Sequence, residues 1–255
     1  MPSYTPVAAV LRGLEILRLV SHLKVASVSQ LHQETGFDKA TIIRMLETLI
    51  HAGYVSRDSA TGGYRITGRT LRLSAGFDML EKAADLADPI LSRFRAKVGW
   101  PSDFALRDGD AMIVAGTTRD PGPLAFNRQP GFRAPFLQTS IGRAYLAYCD
   151  KDERNAILKL VRTGKSPSAA EIDRMLEDVR KDGFATMDDE YSAREYNNTM
   201  WAIAVPVMDD QRVYGAINMM LLRQAVSREQ ARTQYLPSLK EVADEVARAF
   251  HAGGL

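Results

Sequence analysis

Apolar residues recur at helical spacing over Val7–Leu23, where Val10, Leu14, Leu17 and Val20 fall along one side. The next stretch, SVSQLHQETG, is short and mostly polar. Ser27 and Gln30 stand in it as an S-x-x-Q capping box, which predicts a second helix ending at Gly36. A third helix is predicted from Asp38, a carboxylate suited to the N-cap, to Gly53 as the terminating glycine. At about 100° per residue, Ile42, Met45, Leu46, Leu49 and Ile50 gather on one side of it. Ala40, Thr41, Arg44, Glu47, Thr48 and His51 gather on the other. Small residues followed by an arginine suit a helix that must approach something closely. The period then shortens: Tyr54–Arg57 and Tyr64–Thr67 read as strands around a turn rich in Ser, Thr and Gly. Helix, short helix, tight turn, helix and hairpin is the order of a winged helix-turn-helix.

Residues 68–87 continue as a helical pattern, which Asp88-Pro89 is expected to end, with Pro89 opening a new helix to Val98. From Pro101 the texture changes. Two strands joined at Asp108-Gly109 are predicted, with more at 122–127 and 132–136. Helices follow at 140–149, 151–163 and 169–182, then the strands MWAIAVPVM and VYGAINMMLL around Asp209-Asp210, then a helix over 228–250. Strands, a helical middle, strands and a closing helix indicate an α+β domain with one sheet. The expected divisions are a winged helix-turn-helix over 1–68, a linker helix over 69–87 and a second domain over 88–255.

Composition narrows the function. The chain of 255 residues has an ordinary apolar and charged content, so it suits one large or two smaller domains. Its single cysteine, Cys149, rules out an internal disulfide and a Cys-cluster metal site. No run of 18 or more apolar residues occurs and no signal-like N-terminus is seen, so a cytoplasmic protein without a membrane partner is expected. The net charge of +2 is unevenly spread. Residues 1–72 hold nine Lys or Arg against five Asp or Glu, which places the positive excess where a polyanion would bind. The four histidines are His22, His32, His51 and His251, so none falls within residues 52–250. The usual general base and the imidazole metal ligands are therefore missing from the large second part, and Gly-rich phosphate signatures are absent too. Asp188, Asp189 and Glu190 read as a solvated acidic loop. No enzyme, no cofactor and no metal site is expected.

If the third helix enters a major groove, Lys39, Ala40, Thr41 and Arg44 face bases or phosphates. Ser29, Gln30, Arg57 and Arg65 are candidates for phosphate contacts that fix register without reading sequence. The expected partner is double-stranded operator DNA. A different class stays open, a non-catalytic dimeric scaffold held by Leu71, Leu73, Phe77, Leu80 and Ala84.

The segments VLRGLEILRLVS, ETLIHAGYV, GGYRITGRTLRLS, FRAPFLQTSIGRAYLAYC, GFATMDDE and AIAVPV occur in an order that resembles the IclR family of bacterial transcriptional regulators. The resemblance covers nearly the whole chain. It implies a winged helix-turn-helix, a linker helix, a GAF-like effector-binding domain, and dimers that often pair into tetramers. From the residues alone, Thr139 or Ser140 caps a helix whose first amides, at Ile141 and Gly142, offer a partial positive charge to an anion, with Gly142 leaving room for it. A plainly capped helix is the alternative reading. The resemblance places the acid group of a small carboxylate effector at this point. It also carries over Asp188, Ala202, where many relatives have Cys, and Asn218 and Met220 on the next strand. Phe104, Phe126, Phe136 and Trp201 stand near in sequence and suggest a wide apolar pocket. Arg133, with Arg119 and Arg128 as alternatives, is a candidate to pair the carboxylate. VGWPSDFALRDGDAMIV, with PFLQTSIGRAYLAYC, is most similar to the branch that regulates catabolism of hydroxyphenylpropionate and related aromatic acids. The expectation is a ligand-responsive regulator of a catabolic operon with an aromatic carboxylate effector. An aliphatic keto acid such as pyruvate or glyoxylate is the alternative.

Overall fold

The computed structural model describes residues 4–73, 78–119, 130–164 and 166–255. The chain divides into two units, Met1–Asp78 and Met79–Leu255.

The first unit holds helices α1 (Ala8–Leu23), α2 (Val28–Thr35) and α3 (Lys39–His51) and a hairpin of β1 (Val55–Arg57) and β2 (Tyr64–Ile66). Ser27 and Gln30 form the reciprocal capping box that their spacing predicts: the Gln30 amide donates to Ser27 Oγ at 3.2 Å and the Ser27 amide to Gln30 Oε1 at 2.9 Å. Gly36 ends α2 at φ +68°, a left-handed turn that a side chain would strain. Asp38 caps α3 by accepting from the Thr41 amide at 2.8 Å. Ile16, Leu19 and Val20 from α1, Leu31 from α2, and Ile42 and Leu46 from α3 bury a shared core with Val55 and Tyr64 of the wing. Each such side chain withdrawn from water contributes about 1.5–3 kcal/mol before chain entropy is counted. A bridge between Ala26 and Tyr64 ties the hairpin to the α1–α2 connection.

The second unit is built on a six-stranded antiparallel sheet in the order β5-β4-β3-β8-β7-β6. Its strands are β3 (Asp103–Asp108), β4 (Ala111–Thr117), β5 (Arg133–Pro135), β6 (Ala185–Thr186), β7 (Met200–Met208) and β8 (Val213–Leu222). Strand alternation sorts the two faces. Phe104, Trp201, Ile203, Val205, Ile217 and Met219 pack with α4 (Asp78–Val98) and α10 (Leu236–Gly253). Ala105, Ala204 and Ala216 point the other way, and their small size lets α5 (Ser140–Tyr148) lie close to the strands. Beyond α5 come α6 (Lys151–Val161), α7 (Ala169–Asp182) and α8 (Asp189–Tyr196).

Several expected elements differ. Gly68–Leu73 forms a tight 3-10 turn, not the start of a long helix, and residues 74–77 with the candidate Phe77 lie outside the described residues. Pro89 does not divide two helices but sits inside α4. The ring removes one amide donor, yet Ala83, Ala87, Ile90, Leu91 and Phe94 bury along a continuous helical stripe on the sheet, and this packing outweighs the lost bond. Leu80 packs against the same core, so it is not part of a free dimer stripe. The strand expected at 122–127 lies outside the described residues. The acidic loop at 188–190 is instead the start of α8, capped by Asp188, because two acids in a first turn complement the helix dipole. The closing helix begins as a short turn, α9 (Arg228–Gln230), and passes through a wider π segment, Ala231–Tyr235, into α10.

Candidate functional site

The first candidate site is the outer side of α3. Its inner side is fixed by burial of Ile42 and Leu46, with Met45, Leu49 and Ile50 packed alongside. Lys39, Ala40, Ile43, Arg44 and Glu47 are left exposed. Among the predicted readers, Thr41 also has a local role: its hydroxyl donates to Asp38 Oδ2 at 2.7 Å and completes the cap. Gln30 has its side-chain oxygen held by the Ser27 amide, so only its amide nitrogen faces outward chemistry. Ser29 is exposed on α2. On the wing, Arg57 lies over the Tyr64 ring at 5.1 Å and Arg65 sits 3.9 Å from Asp58. Both guanidiniums are thereby oriented by neighbours and remain at the surface.

The second candidate site surrounds the start of α5. Thr139 is the N-cap: its hydroxyl donates to the Pro135 carbonyl at 2.7 Å and accepts from the Gly142 amide at 3.1 Å. The Gly142 amide is therefore used by the cap, and the two amides ahead of it, Ser140 and Ile141, are those left for an anion. Gly142 itself does not make room for a ligand. A Cβ there would lie 2.4 Å from the Phe136 backbone, so the glycine allows α5 to close onto the preceding chain. Phe136 is buried in that core, its ring 6.0 Å from Tyr145.

Backbone pairing draws three segments to this helix start. The Asp188 amide donates to the Gln138 carbonyl at 2.9 Å, and the Met187 amide to the Ala202 carbonyl at 3.2 Å. Ala202 faces Met220 across β7 and β8, and both are buried in one cluster with Met187, Tyr191 and Tyr196. Beside them, Asn218 accepts from the Asp103 amide at 2.8 Å and donates to Asp103 Oδ2 at 3.1 Å. Asp103 also receives the Thr117 hydroxyl at 2.8 Å and both Arg119 Nε, at 2.9 Å, and Arg119 Nη2. Burial opposes the charge on Arg119, but Asp103 and then Tyr196 outweigh it and hold the guanidinium above its ordinary value. Arg119, weighed as a clamp for a carboxylate ligand, is thus already clamped by the protein's own carboxylate.

Other predicted residues lie elsewhere. Phe104 and Trp201 are on the opposite face of the sheet, Phe104 edge-on to Phe250 at 5.2 Å and Trp201 donating its ring N–H to the Val226 carbonyl. Adjacent strand positions point to opposite faces, which nearness in sequence could not resolve. Arg133 is at the surface, paired with Asp108 and Asp110. Phe126 and Arg128 lie outside the described residues. Asp188 spends one oxygen on the Tyr191 amide, as N-cap, and the other on Arg143. Sequence reasoning passed over Arg143, Tyr191 and Tyr196, whose places depend on α8, a helix that the polar run DEYSAREY did not announce. Among the described residues no group of three or more His, Cys, Asp or Glu is placed to hold a metal.

An N-terminal winged helix-turn-helix followed by a single-sheet α+β domain defines a two-part DNA-binding protein. Residues 81–248 match the family model described as bacterial transcriptional regulator IclR C-terminal, and residues 9–59 match the IclR helix-turn-helix domain. The chain belongs to the IclR family of transcriptional regulators, a family that binds DNA and is not enzymatic. It is 27% identical over 212 residues to the HTH-type transcriptional regulator KdgR of Escherichia coli K12, covering 80% of this chain and 77% of that one. The crystal structure of an IclR family transcriptional regulator from Brucella abortus aligns with a TM-score of 0.62 at 27% identity, covering 96% and 93%. An IclR homolog from Microbacterium hydrocarbonoxydans, complexed with 4-hydroxybenzoate, shares the fold at a TM-score of 0.67 and 16% identity, covering 96% and 100%. No helix among the described residues is long and apolar enough to cross a membrane.

Proposed function

We propose that this regulator controls a catabolic operon in response to a small aromatic carboxylate, bound between the start of α5 and the Met187–Tyr191–Tyr196–Ala202–Met220 cluster. The observation that carries the reading is the adjacency of these two features. Backbone bonds through Asp188 and Met187 bring the first amides of α5 beside two tyrosines and three apolar side chains. Amides suit a carboxylate, and aromatic edges with a polarizable methionine suit a ring. The 4-hydroxybenzoate held by one homolog is a ligand of this chemical class. Phe104 and Trp201 drop out of the proposed lining, and Arg119 serves Asp103.

The protein acts as a dimer in this reading. Val10, Leu11 and Leu14 are exposed along one side of α1, with Val7 exposed at its cap, a stripe suited to a second copy, whose two recognition helices then read a pseudo-palindrome. Effector binding shifts the population of arrangements that present those helices to DNA.

The test is a thermal-shift screen of the full-length protein with hydroxyphenylpropionates, hydroxybenzoates, phenylacetates, pyruvate and glyoxylate, followed by calorimetry. Micromolar binding of an aromatic acid, lost on Met220→Trp, is the expected result. Binding of pyruvate or glyoxylate alone overturns the aromatic reading and leaves the regulator standing.

A further inference from the structure

The charged groups of the first unit are mostly held by neighbours. Arg12, Arg57 and Arg69 lie over the rings of Phe37, Tyr64 and Tyr54. Arg18 pairs with Glu15, Asp38 caps α3, and Asp58 holds the hairpin turn through Thr61. Lys24, Lys39 and Arg72 are not, nor are Arg44 and Glu47. The last two stand three apart on the exposed side of α3, close enough to pair, yet no hydrogen bond or ion pair joins their side chains to each other or to anything among the described residues. Between them and Ala40 lies Ile43, a large apolar side chain that is 38% exposed on the same outward side. Ala40, Ile43, Arg44 and Glu47 follow the three-and-four spacing of a single helical face.

Neither Ile43 nor Glu47 suits a surface that only attracts phosphates. An acid there repels the backbone, and an exposed isoleucine adds nothing to it. Both suit the major groove. A carboxylate finds a donor in the cytosine N4 amino group, whereas at adenine the neighbouring N7 acceptor repels it. An aliphatic side chain finds the thymine C5-methyl. From Ala40 to Glu47 the helix rises about 10 Å, roughly three base-pair steps.

We propose that Glu47 and Ile43 are sequence-reading residues of the operator complex, Glu47 selecting cytosine and Ile43 contacting a thymine methyl, on either side of Arg44.

The test is affinity selection from a randomised duplex library by the full-length protein at fixed salt, run with wild type, Glu47→Gln and Ile43→Ser. Both sites are exposed, so unchanged melting and oligomeric state are the control for folding. Wild type should return half-sites that contain a C and a T within one three-pair core. Glu47→Gln should move the C position to A, since a carboxamide pairs bidentately with adenine, with roughly tenfold or greater change in discrimination there. Ile43→Ser should relax the T position. Replacing that thymine by deoxyuridine should weaken wild type and leave Ile43→Ser indifferent. An identical consensus for all three proteins overturns the proposal. So does a Glu47→Gln variant that binds every sequence more tightly without a shift in consensus, since the acid would then act only as a repulsive charge.

Discussion

Arg143 meets Asp188 at 2.8 Å, and this one guanidinium also donates to the carbonyls of Leu137, at 2.7 Å, and Thr186, at 3.2 Å. Three segments are thereby joined: the approach to α5, strand β6 and the cap of α8. Burial pulls the Arg143 guanidinium below its ordinary value and Asp188 only partly restores it. Replacing Arg143 with Met leaves two carbonyls and a carboxylate without their donor and should cost about 2–4 kcal/mol. Chemical denaturation of Arg143→Met and Arg143→Lys checks this. Lys should recover part of the loss, because a single ammonium cannot reach all three acceptors. If the pocket reading is right, both variants also weaken effector binding through the displaced helix start.

Gly142 is expected to tolerate nothing larger. A methyl at that position meets the Phe136 backbone at 2.4 Å, which no rotamer change relieves. Gly142→Ala should destabilise the second unit by about 1–3 kcal/mol or more, a drop of several degrees in Tm. Gly109, at φ +60° with open space around it, gives the contrast. There an alanine meets only the backbone penalty of a left-handed conformation, about 1 kcal/mol.

The first unit, as far as the wing, was legible from sequence because its signals are local. Ser27 with Gln30, Asp38 before α3 and glycines at the helix ends each act within four residues, and the apolar stripe of α3 needs no distant partner. The second unit was legible only in outline. Which strands neighbour which, and hence that Phe104 faces Phe250 while Ala105 faces α5, is decided by pairing of residues 115 apart, as between Asp103 and Asn218. Pro89 misled for the same reason. Its local preference is to start a helix, and the packing of Leu91 and Phe94 overrides it. Family resemblance pointed to the start of α5, but it could not show that Asp188 serves Arg143 or that Gly142 serves Phe136.

The Asp103–Arg119 pair should be costlier to break than to replace as a unit. Their side chains are 0% and 7% exposed. Asp103→Leu leaves a buried guanidinium without its carboxylate and should lower stability by about 3–5 kcal/mol. The double variant Asp103→Leu with Arg119→Met should recover part of that, because the Asn218 amide and the Thr117 hydroxyl stay without their acceptor. Urea midpoints for the two singles and the double give the coupling directly, and a strictly additive result would mean that the pair does not interact.

Cys149 should be unreactive in the folded protein. It is buried, and burial first, with Glu153 adding to it, pushes the thiol up to about 12. A thiol reagent at pH 8 should leave the native protein unlabelled and modify it once urea is added. Because the folded value lies above that of an unfolded thiol, its stabilising effect is complete below pH of about 8.5 and is lost as pH rises toward 12. Cys149→Ala should flatten the alkaline side of the stability profile.

Asp38 gives the opposite pH signature in the first unit. Its carboxylate accepts from the Thr41 hydroxyl at 2.7 Å and the Thr41 amide at 2.8 Å, and these bonds hold it below the usual carboxylate range. A lowered folded value means that the capping contribution is present above an unfolded pKa of about 3.9 and is lost as pH falls through the folded one. Asp38→Asn keeps an acceptor for the amide but has no charge to titrate. Its melting curve should therefore fall slightly below wild type at pH 7 and converge with it under acid. Asp38→Ala removes the acceptor altogether and frees the Thr41 hydroxyl, so it should lower melting at every pH above the acid limb. Operator affinity separates the two roles of this helix start. If Thr41 only caps, Thr41→Val lowers melting and leaves the selected operator sequence unchanged, whereas a change in consensus would mean that it reads sequence as well.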